Sequence, residues 1–297
     1  EVAWEAIEAA GLPLAELRRR TTGVFLGVYG SDYLSMQFTD PSIINTYTAP
    51  GGAHSVLANR VSYLLDLHGP SLAVDTACSS SLMAVHLAVR ALRQGDCDIA
   101  LAGGVNLLIS PLSTLVTEKV LPIAPGGRCR PFDAAADGII RAEGCGLLVL
   151  TRESLAAELV PGGRPRAIIR GTAANHDGST NGLTAPNPRA QAALLRRALA
   201  DAGASPGEVG YVEAHGTGTP LGDPIEMEAL REVYGGGGDR PCVVGAVKGN
   251  FGHQEAAAGV AGLVKAMLVL EHRQVPPTLH LREVNPEIDL TGSRLRL

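Results

Sequence analysis

Three short segments hold residue types that chemistry needs. The first, VDTACSSSL, runs from Val74 to Leu82 and places Cys78 where an apolar strand pattern gives way to the good helix formers of LMAVHLAVRALRQG. A cysteine at or near a helix N-terminus meets unpaired backbone N–H groups and the positive end of the helix dipole. Both favour an anion and lower a thiol pKa from its usual value of about 8.5. Such a thiolate is a nucleophile, and its own N–H faces the place where an oxyanion would form. By residue type alone, Cys78 could equally be a small buried core residue. Cys97, Cys129, Cys145 and Cys242 lack this setting and are assigned structural roles.

The second segment is YVEAHGTGTPLGDP. His215 follows a strand-like run on a loop whose Gly216, Thr217, Gly218 and Thr219 can approach a ligand with backbone amides and hydroxyls. The third is VKGNFGH, in which Lys248 and His253 flank Gly249 and Gly252 ahead of a helix opening with EAAAG. A buried lysine beside an imidazole would hold hydrogen bonds and keep the ring neutral. The plainer alternatives are a loop histidine and a lysine at a sheet rim. Some patterns are discarded: GASPG follows a helix, and Pro206 has no N–H for an oxyanion hole, so it is a turn rather than a nucleophile elbow. Neither a phosphate loop, nor a strand followed by GxGxxG, nor HExxH is present.

The elements that must position these residues alternate between strand-like and helix-like, which predicts an α/β fold. A helix stops at Gly11 and the strand GVFLGVYG begins at Gly23. Further strands are expected at Leu72–Asp75, Ile99–Val105, Leu147–Thr151, Ala167–Ala173, Val209–Ala214 and Val243–Val247. Asn187 with Pro188, and Asp223 with Pro224, look like N-cap and first-turn pairs. The run Gly235–Gly238 reads as a surface loop, and Pro161–Gly163 as a hinge. On either side of that hinge a helix ending in Ala-Gly leads to a strand, and a later strand breaks into a small-residue helix. Two copies of one unit would bring both junctions toward a shared centre.

The 297 residues can bury a large core. A net charge of −5 argues against a nucleic-acid partner, and five cysteines without a CxxC pair suggest neither a disulfide framework nor zinc. The most apolar run, near Val260–Leu270, contains Gly262 and Lys265 and is too short to span a bilayer. A soluble protein of the reducing cytoplasm is expected. The first residue is Glu1, so a piece of a longer chain is expected too.

The three segments, in this order, resemble the active-site signatures of the ketosynthase (beta-ketoacyl synthase) domain of modular type I polyketide synthases. ANRVSYLLDLHGPS, GRCRPFDAAADGIIRAEGCG and DGSTNGLTAPN are also similar to that family, so the resemblance covers nearly the whole chain. It implies a thiolase-like, five-layered αβαβα fold of two pseudo-symmetric halves, residues 1–160 with the nucleophile and 161–297 with two catalytic histidines. It makes Cys78 the acyl acceptor, His215 and His253 the stabilisers of an enolate from a malonyl-type thioester, Lys248 their support, and Thr217 and Thr219 contacts of the pantetheine arm. The implied reaction is a decarboxylative condensation that extends a polyketide chain. The alternative is a non-elongating domain that only binds or passes on acyl chains.

No resident cofactor or metal is implied, because substrates arrive on the phosphopantetheine of an acyl carrier protein. Implied partners are that carrier, neighbouring acyltransferase and other synthase domains, and a second copy of the chain in a homodimer. Arg18, Arg19, Arg20, Arg128 and Arg130 are candidate carrier contacts. One departure is Lys248-Gly249-Asn250-Phe251, where the family usually has Lys-Ser-Asn-Ile. The family pattern also extends beyond both Glu1 and Leu297, with a glycine-rich, phenylalanine-containing segment that supplies part of the oxyanion hole and acyl pocket. The 297 residues alone are therefore expected to fold poorly or to be inactive.

Overall fold

The computed structural model describes residues 1–160, 164–238 and 240–297, so the expected hinge at Pro161–Gly163 lies outside the described residues. They form two compact units interleaved along the sequence. The first comprises Glu1–Thr117, Ala142–Ile168 and Gln254–Ala261, and the second Glu118–Arg141, Ile169–His253 and Gly262–Leu297.

The first unit is built on a sheet of β1 (Thr22–Gly27), β2 (Ser71–Val74), β3 (Ile99–Asn106) and β4 (Gly144–Thr151), in the order β2-β1-β3-β4. The first three are parallel and β4 is antiparallel to β3. Its helices are α1 (Val2–Ala9), α2 (Leu14–Arg19), α3 (Asp32–Gln37), α4 (Thr48–Gly52), α5 (His54–Leu65), α6 (Ser80–Gln94), α7 (Pro111–Glu118) and α8 (Glu153–Leu159). Side chains alternate across a strand. Val24 and Leu26 of β1, with Ile99 and Leu101 of β3, therefore share one face and enter a buried cluster with Ile7, Leu17, Ala58 and Leu159. The opposite face carries Phe25 but narrows to glycine toward the ends of β1 and β3. Gly27 pairs with Gly104, and the first turn of α6 rests on both. A Cβ on Gly27 would come within 2.4 Å of the Ser81 backbone nitrogen, and one on Gly104 within 2.7 Å of the Ser81 Cβ.

The second unit has a parallel sheet, β5 (Tyr211–Glu213), β6 (Cys242–Gly245) and β7 (Leu295–Arg296), in that order. Its helices are α9 (Pro188–Ala202), α10 (Gly222–Tyr234) and the short α11 (Lys248–Phe251). The helix α12 (Ala258–His272) begins in the first unit and continues into the second. Phe132, Leu199, Met227, Leu230, Val244 and Leu295 belong to the core of the second unit.

Most expected elements are present. Asn187 caps α9 by accepting hydrogen bonds from the Arg189 and Ala190 N–H groups, and Gly203 ends it in the left-handed region. GASPG is a turn, closed by a capping box between Ser205 and Glu208. Two expectations are corrected. Ala167–Ala173 belongs to neither sheet. It runs beside α9, where the Thr172 N–H donates to the Asp201 carboxylate and a Cβ on Gly171 would sit 2.4 Å from the Ala202 nitrogen. Asp223 is not an N-cap either. The helix α10 starts one residue earlier, and the Asp223 carboxylate is buried, accepting from the N–H groups of Phe132 at 2.7 Å and Gly218 at 3.1 Å.

Candidate active site

In the first unit, β2 ends at Val74 and the chain makes a 3-10 turn over Ala77–Ser79 before α6 starts at Ser80. Cys78 is in the middle of that turn and half-buried, just outside the helix rather than within it. The turn is held by its own neighbours. Asp75 accepts from the Ala77 N–H at 3.0 Å, and Ser80 Oγ accepts from the Thr76 N–H at 2.9 Å while donating to the Ala77 carbonyl at 2.6 Å. Ser79 Oγ donates to the Thr76 carbonyl at 2.9 Å. Ala77 adopts φ 53°, a left-handed conformation that costs an L-residue about 1–2 kcal/mol. The same device recurs where α12 begins: Glu255 has φ 45°, a 3-10 turn spans Glu255–Ala257, and α12, like α6, is 15 residues long. Ala256 holds the place that Cys78 holds in the first copy. Ser81 Oγ accepts from the Val260 N–H at 3.0 Å, joining the two first turns.

The second unit brings together His215, Lys248 and His253. Past β5, the Ala214 N–H donates to the Gly245 carbonyl, and the backbone then turns away into the loop. That turn is fastened by a residue of α10: Glu226 accepts from the His215 N–H at 2.6 Å and from the Gly216 N–H at 2.8 Å. Gly216 has φ 44° and lies so close to Ala246 that a Cβ would meet it at 2.5 Å, so only glycine fits. The Lys248 ammonium donates to the His215 carbonyl at 2.6 Å and stands 3.4 Å from Nδ1. His253 is anchored by its backbone N–H, which donates to the Ile140 carbonyl at 2.6 Å. The two imidazoles are edge to face, with centroids 5.3 Å apart and planes at 87°.

Both rings are held neutral. His253 is lowered to about 3, first by burial and then by the Lys248 and Arg141 charges. For His215 the largest cause is the Lys248 ammonium, followed by burial and His253, and its pKa falls well below the usual histidine value. His215 keeps accessible surface. Protein atoms nevertheless crowd its ring, and crowding governs how well water can solvate an imidazolium. Thr217 and Thr219 share a hydroxyl contact of 3.0 Å, and Thr219 Oγ1 accepts from the Gly222 N–H.

Cys97, Cys129 and Cys242 are buried, with thiols pushed up chiefly by burial, Cys97 to about 11 and Cys129 to about 12. Cys129 also donates to the Thr217 carbonyl at 3.3 Å. Cys145 is exposed on β4, unlike the other three. Glu226 and Asp223 do not stand out in the sequence for these roles. The available signal is their spacing, because carboxylates three apart share a helix face, and here that face also carries Met227 and Leu230 into the core.

The chain belongs to the beta-ketoacyl synthase family. The family description "Beta-ketoacyl synthase, N-terminal domain" matches residues 1–156, and "Beta-ketoacyl synthase, C-terminal domain" matches residues 166–282. Its relatives are polyketide synthases and its fold is the thiolase-like α/β fold of their ketosynthase domains. It is 53% identical, over 100% of its length, to one polypeptide of the phenolphthiocerol/phthiocerol polyketide synthase of Mycobacterium tuberculosis, and 50% identical over 99% of its length to another polypeptide of that synthase. It covers 16% and 19% of those proteins, so the chain spans less than a fifth of the curated relatives it matches. Among solved structures, the oxazolomycin ketosynthase domain of Streptomyces albus JA3453 is similar with a TM-score of 0.92 and 42% identity, over 99% of this chain and 52% of that one. The ketosynthase from module 6 of the bacillaene synthase of Bacillus subtilis 168 gives 0.90 and 39%, over 99% and 51%. No helix among the described residues is long and apolar enough to cross a membrane.

Proposed function

We propose that the chain carries out the decarboxylative condensation of polyketide extension, with residues 1–160 supplying the nucleophile and 161–297 the histidines. Cys78 takes an acyl group from a phosphopantetheine thioester, releasing the pantetheine thiol. A malonyl-type thioester on an acyl carrier protein then loses carbon dioxide. The electron pair of the broken C–C bond moves to the thioester enolate, whose oxygen accepts hydrogen bonds from His215 and His253. The enolate carbon attacks the Cys78 thioester, a new C–C bond forms, and the Cys78 thiolate leaves.

The observation that carries this reading is the pair of neutral imidazoles 5.3 Å apart beside Lys248. A neutral ring can donate from one nitrogen without bringing a charge into a crowded site. Thr217 and Thr219 are proposed to contact the pantetheine arm, and a homodimer and neighbouring synthase domains are proposed partners. Of the arginines considered for the carrier, Arg19 and Arg20 are paired with Glu16, Arg130 is paired with Asp137, and Arg18 donates to the Leu65 carbonyl at 3.1 Å, so a carrier carboxylate would compete with these partners.

The test uses the intact polypeptide. After incubation with an acyl thioester, mass spectrometry should find the acyl group on Cys78, and adding malonyl-carrier protein should release carbon dioxide and extend the chain. Acylation of Cys78 with no carbon dioxide release would favour a non-elongating carrier of acyl groups. Acylation elsewhere would end both readings.

A further inference from the structure

Two residues before His215, Glu213 makes three contacts inside the second unit. Its Oε1 accepts from the Val247 N–H at 2.6 Å. Its Oε2 lies 2.9 Å from the Lys265 ammonium of α12 and accepts from the Tyr211 hydroxyl. The pair is nearly dry, with side-chain exposures of 6% for Glu213 and 11% for Lys265. The Lys265 ammonium also lies 5.9 Å from the centroid of the Tyr211 ring.

Space for this cluster is made by two glycines. Gly245 is the register partner of Glu213, and a Cβ there would meet the Tyr211 hydroxyl at 2.8 Å and Lys265 Nζ at 3.2 Å. A Cβ on Gly262 of α12 would meet Glu213 Cγ at 3.1 Å. A buried ion pair is seldom a gain in stability over well-packed apolar residues of the same volume, because both charges lose their hydration. What it supplies is fixed geometry, and the geometry here is specific. Glu213 belongs to the strand that delivers His215, and Val247, which it grips, is the residue before Lys248. One carboxylate therefore locks the exits of β5 and β6 together, and Lys265 holds that carboxylate in place from α12.

We propose that Glu213 and Lys265 are positioning residues that set the His215 carbonyl and imidazole against the Lys248 ammonium. This rests on the condensation reading and deepens it. Neither residue touches substrate. They act through the spacing of His215 and Lys248, and misplacement on the scale of 1 Å can cost a reaction about 100-fold.

The experiment compares wild type with Lys265→Met, Lys265→Arg and the double variant Glu213→Gln/Lys265→Met in the intact polypeptide. Folded content is checked by circular dichroism and thermal melting. Lys265→Met should lower kcat for carbon dioxide release from malonyl-carrier protein by about tenfold or more while changing KM by less than about threefold. Acylation of Cys78 should proceed at the wild-type rate, since the Ala77–Ser79 turn is fastened by its own neighbours. Lys265→Arg, which keeps the charge, should recover most of the loss. If Lys265→Met fails to fold, the double variant removes both buried charges at once and should fold with kcat still reduced.

A folded Lys265→Met or double variant with wild-type kcat overturns the inference. So does a loss of acylation and condensation together in step with the loss of folded protein, which would make the pair purely structural. An active wild type with unaffected variants refutes this inference alone, whereas a wild type that never releases carbon dioxide refutes the condensation reading and this inference with it.

Discussion

Cys78 and His215 are held in place by opposite means. The cysteine turn is fastened by hydroxyls and a carboxylate within a few residues of it, Asp75, Ser79 and Ser80, and by the small residues Gly27 and Gly104 that let α6 settle onto the sheet. The histidine is fastened by charges from distant parts of the chain: Glu226 from 11 residues on, and Lys248 from 33. Local fastening makes the cysteine turn a rigid elbow held chiefly by hydroxyl and backbone hydrogen bonds. Fastening by buried charge fixes the geometry and sets the protonation state of the rings at the same time, so the histidine cluster should answer to pH more strongly than the elbow.

The largest expected effect follows from that difference. A buried histidine whose pKa is lowered binds fewer protons folded than unfolded, so its contribution is intact above the unfolded value near 6.5 and is lost as pH falls toward the folded value. For His253 that folded value is about 3. Each pH unit of separation is worth about 1.4 kcal/mol, so this residue alone should remove on the order of 4 kcal/mol over the window. His215 acts in the same direction. Glu226 and Asp223, whose pKa values are raised by burial, act in the opposite one as they take up protons. Denaturant midpoints measured from pH 7 down to pH 4 should therefore fall, and the slope should flatten in His253→Gln. An unchanged slope in that variant would show that the imidazole does not carry the pH dependence, and the contrast between the cysteine turn and the histidine cluster would fail.

The same division decides what could be foreseen from the sequence. The cysteine turn was legible because its determinants are adjacent: a strand, small residues, then a helix. Asn187 at the start of α9 and Gly203 at its end were legible for the same reason. Glu226 and the Glu213–Lys265 pair were not, because a carboxylate's partner is set by the packing of separate elements, and Lys265 is 52 positions from Glu213. Asp223 shows how local reasoning goes astray. Beside Pro224 it has the look of a helix cap, yet the Phe132 N–H, 91 residues away, claims its carboxylate. Ala167–Ala173 has strand-like composition, but Thr172 finds its partner in the Asp201 side chain instead of in a ladder. The ketosynthase resemblance rests on short motifs, which name Cys78, His215, Lys248 and His253 but not the distant carboxylates that hold the histidine loop.

A middle-sized effect tests the elbow by its backing. Gly27→Ala would push a methyl group to 2.4 Å from the Ser81 nitrogen, with backbone rather than a flexible side chain in the way. Overpacking of this kind costs about 1–3 kcal/mol. The relaxation available is a shift of the first turn of α6, which carries the cysteine turn with it. Thermal melting should show the loss, and the alkylation rate of Cys78 by iodoacetamide should change. A lower melting temperature with an unaltered Cys78 alkylation rate would mean that the strain is absorbed elsewhere and that the glycine pair does not position Cys78.

The smallest effect separates strain from support at Ala77. Its φ of 53° is unfavourable for alanine and easy for glycine. Ala77→Gly relieves that strain in the folded state but adds freedom to the unfolded chain, and the two contributions nearly offset, leaving a change of under about 1 kcal/mol in either direction. If the hydrogen bonds from Asp75 and Ser80 define the elbow, the variant should acylate Cys78 at close to the wild-type rate. If the alanine methyl is itself needed to hold the turn, acylation should fall sharply while the melting temperature stays put. That outcome would move the elbow out of the class of locally hydrogen-bonded turns and make it resemble the histidine cluster, whose geometry is dictated by what surrounds it.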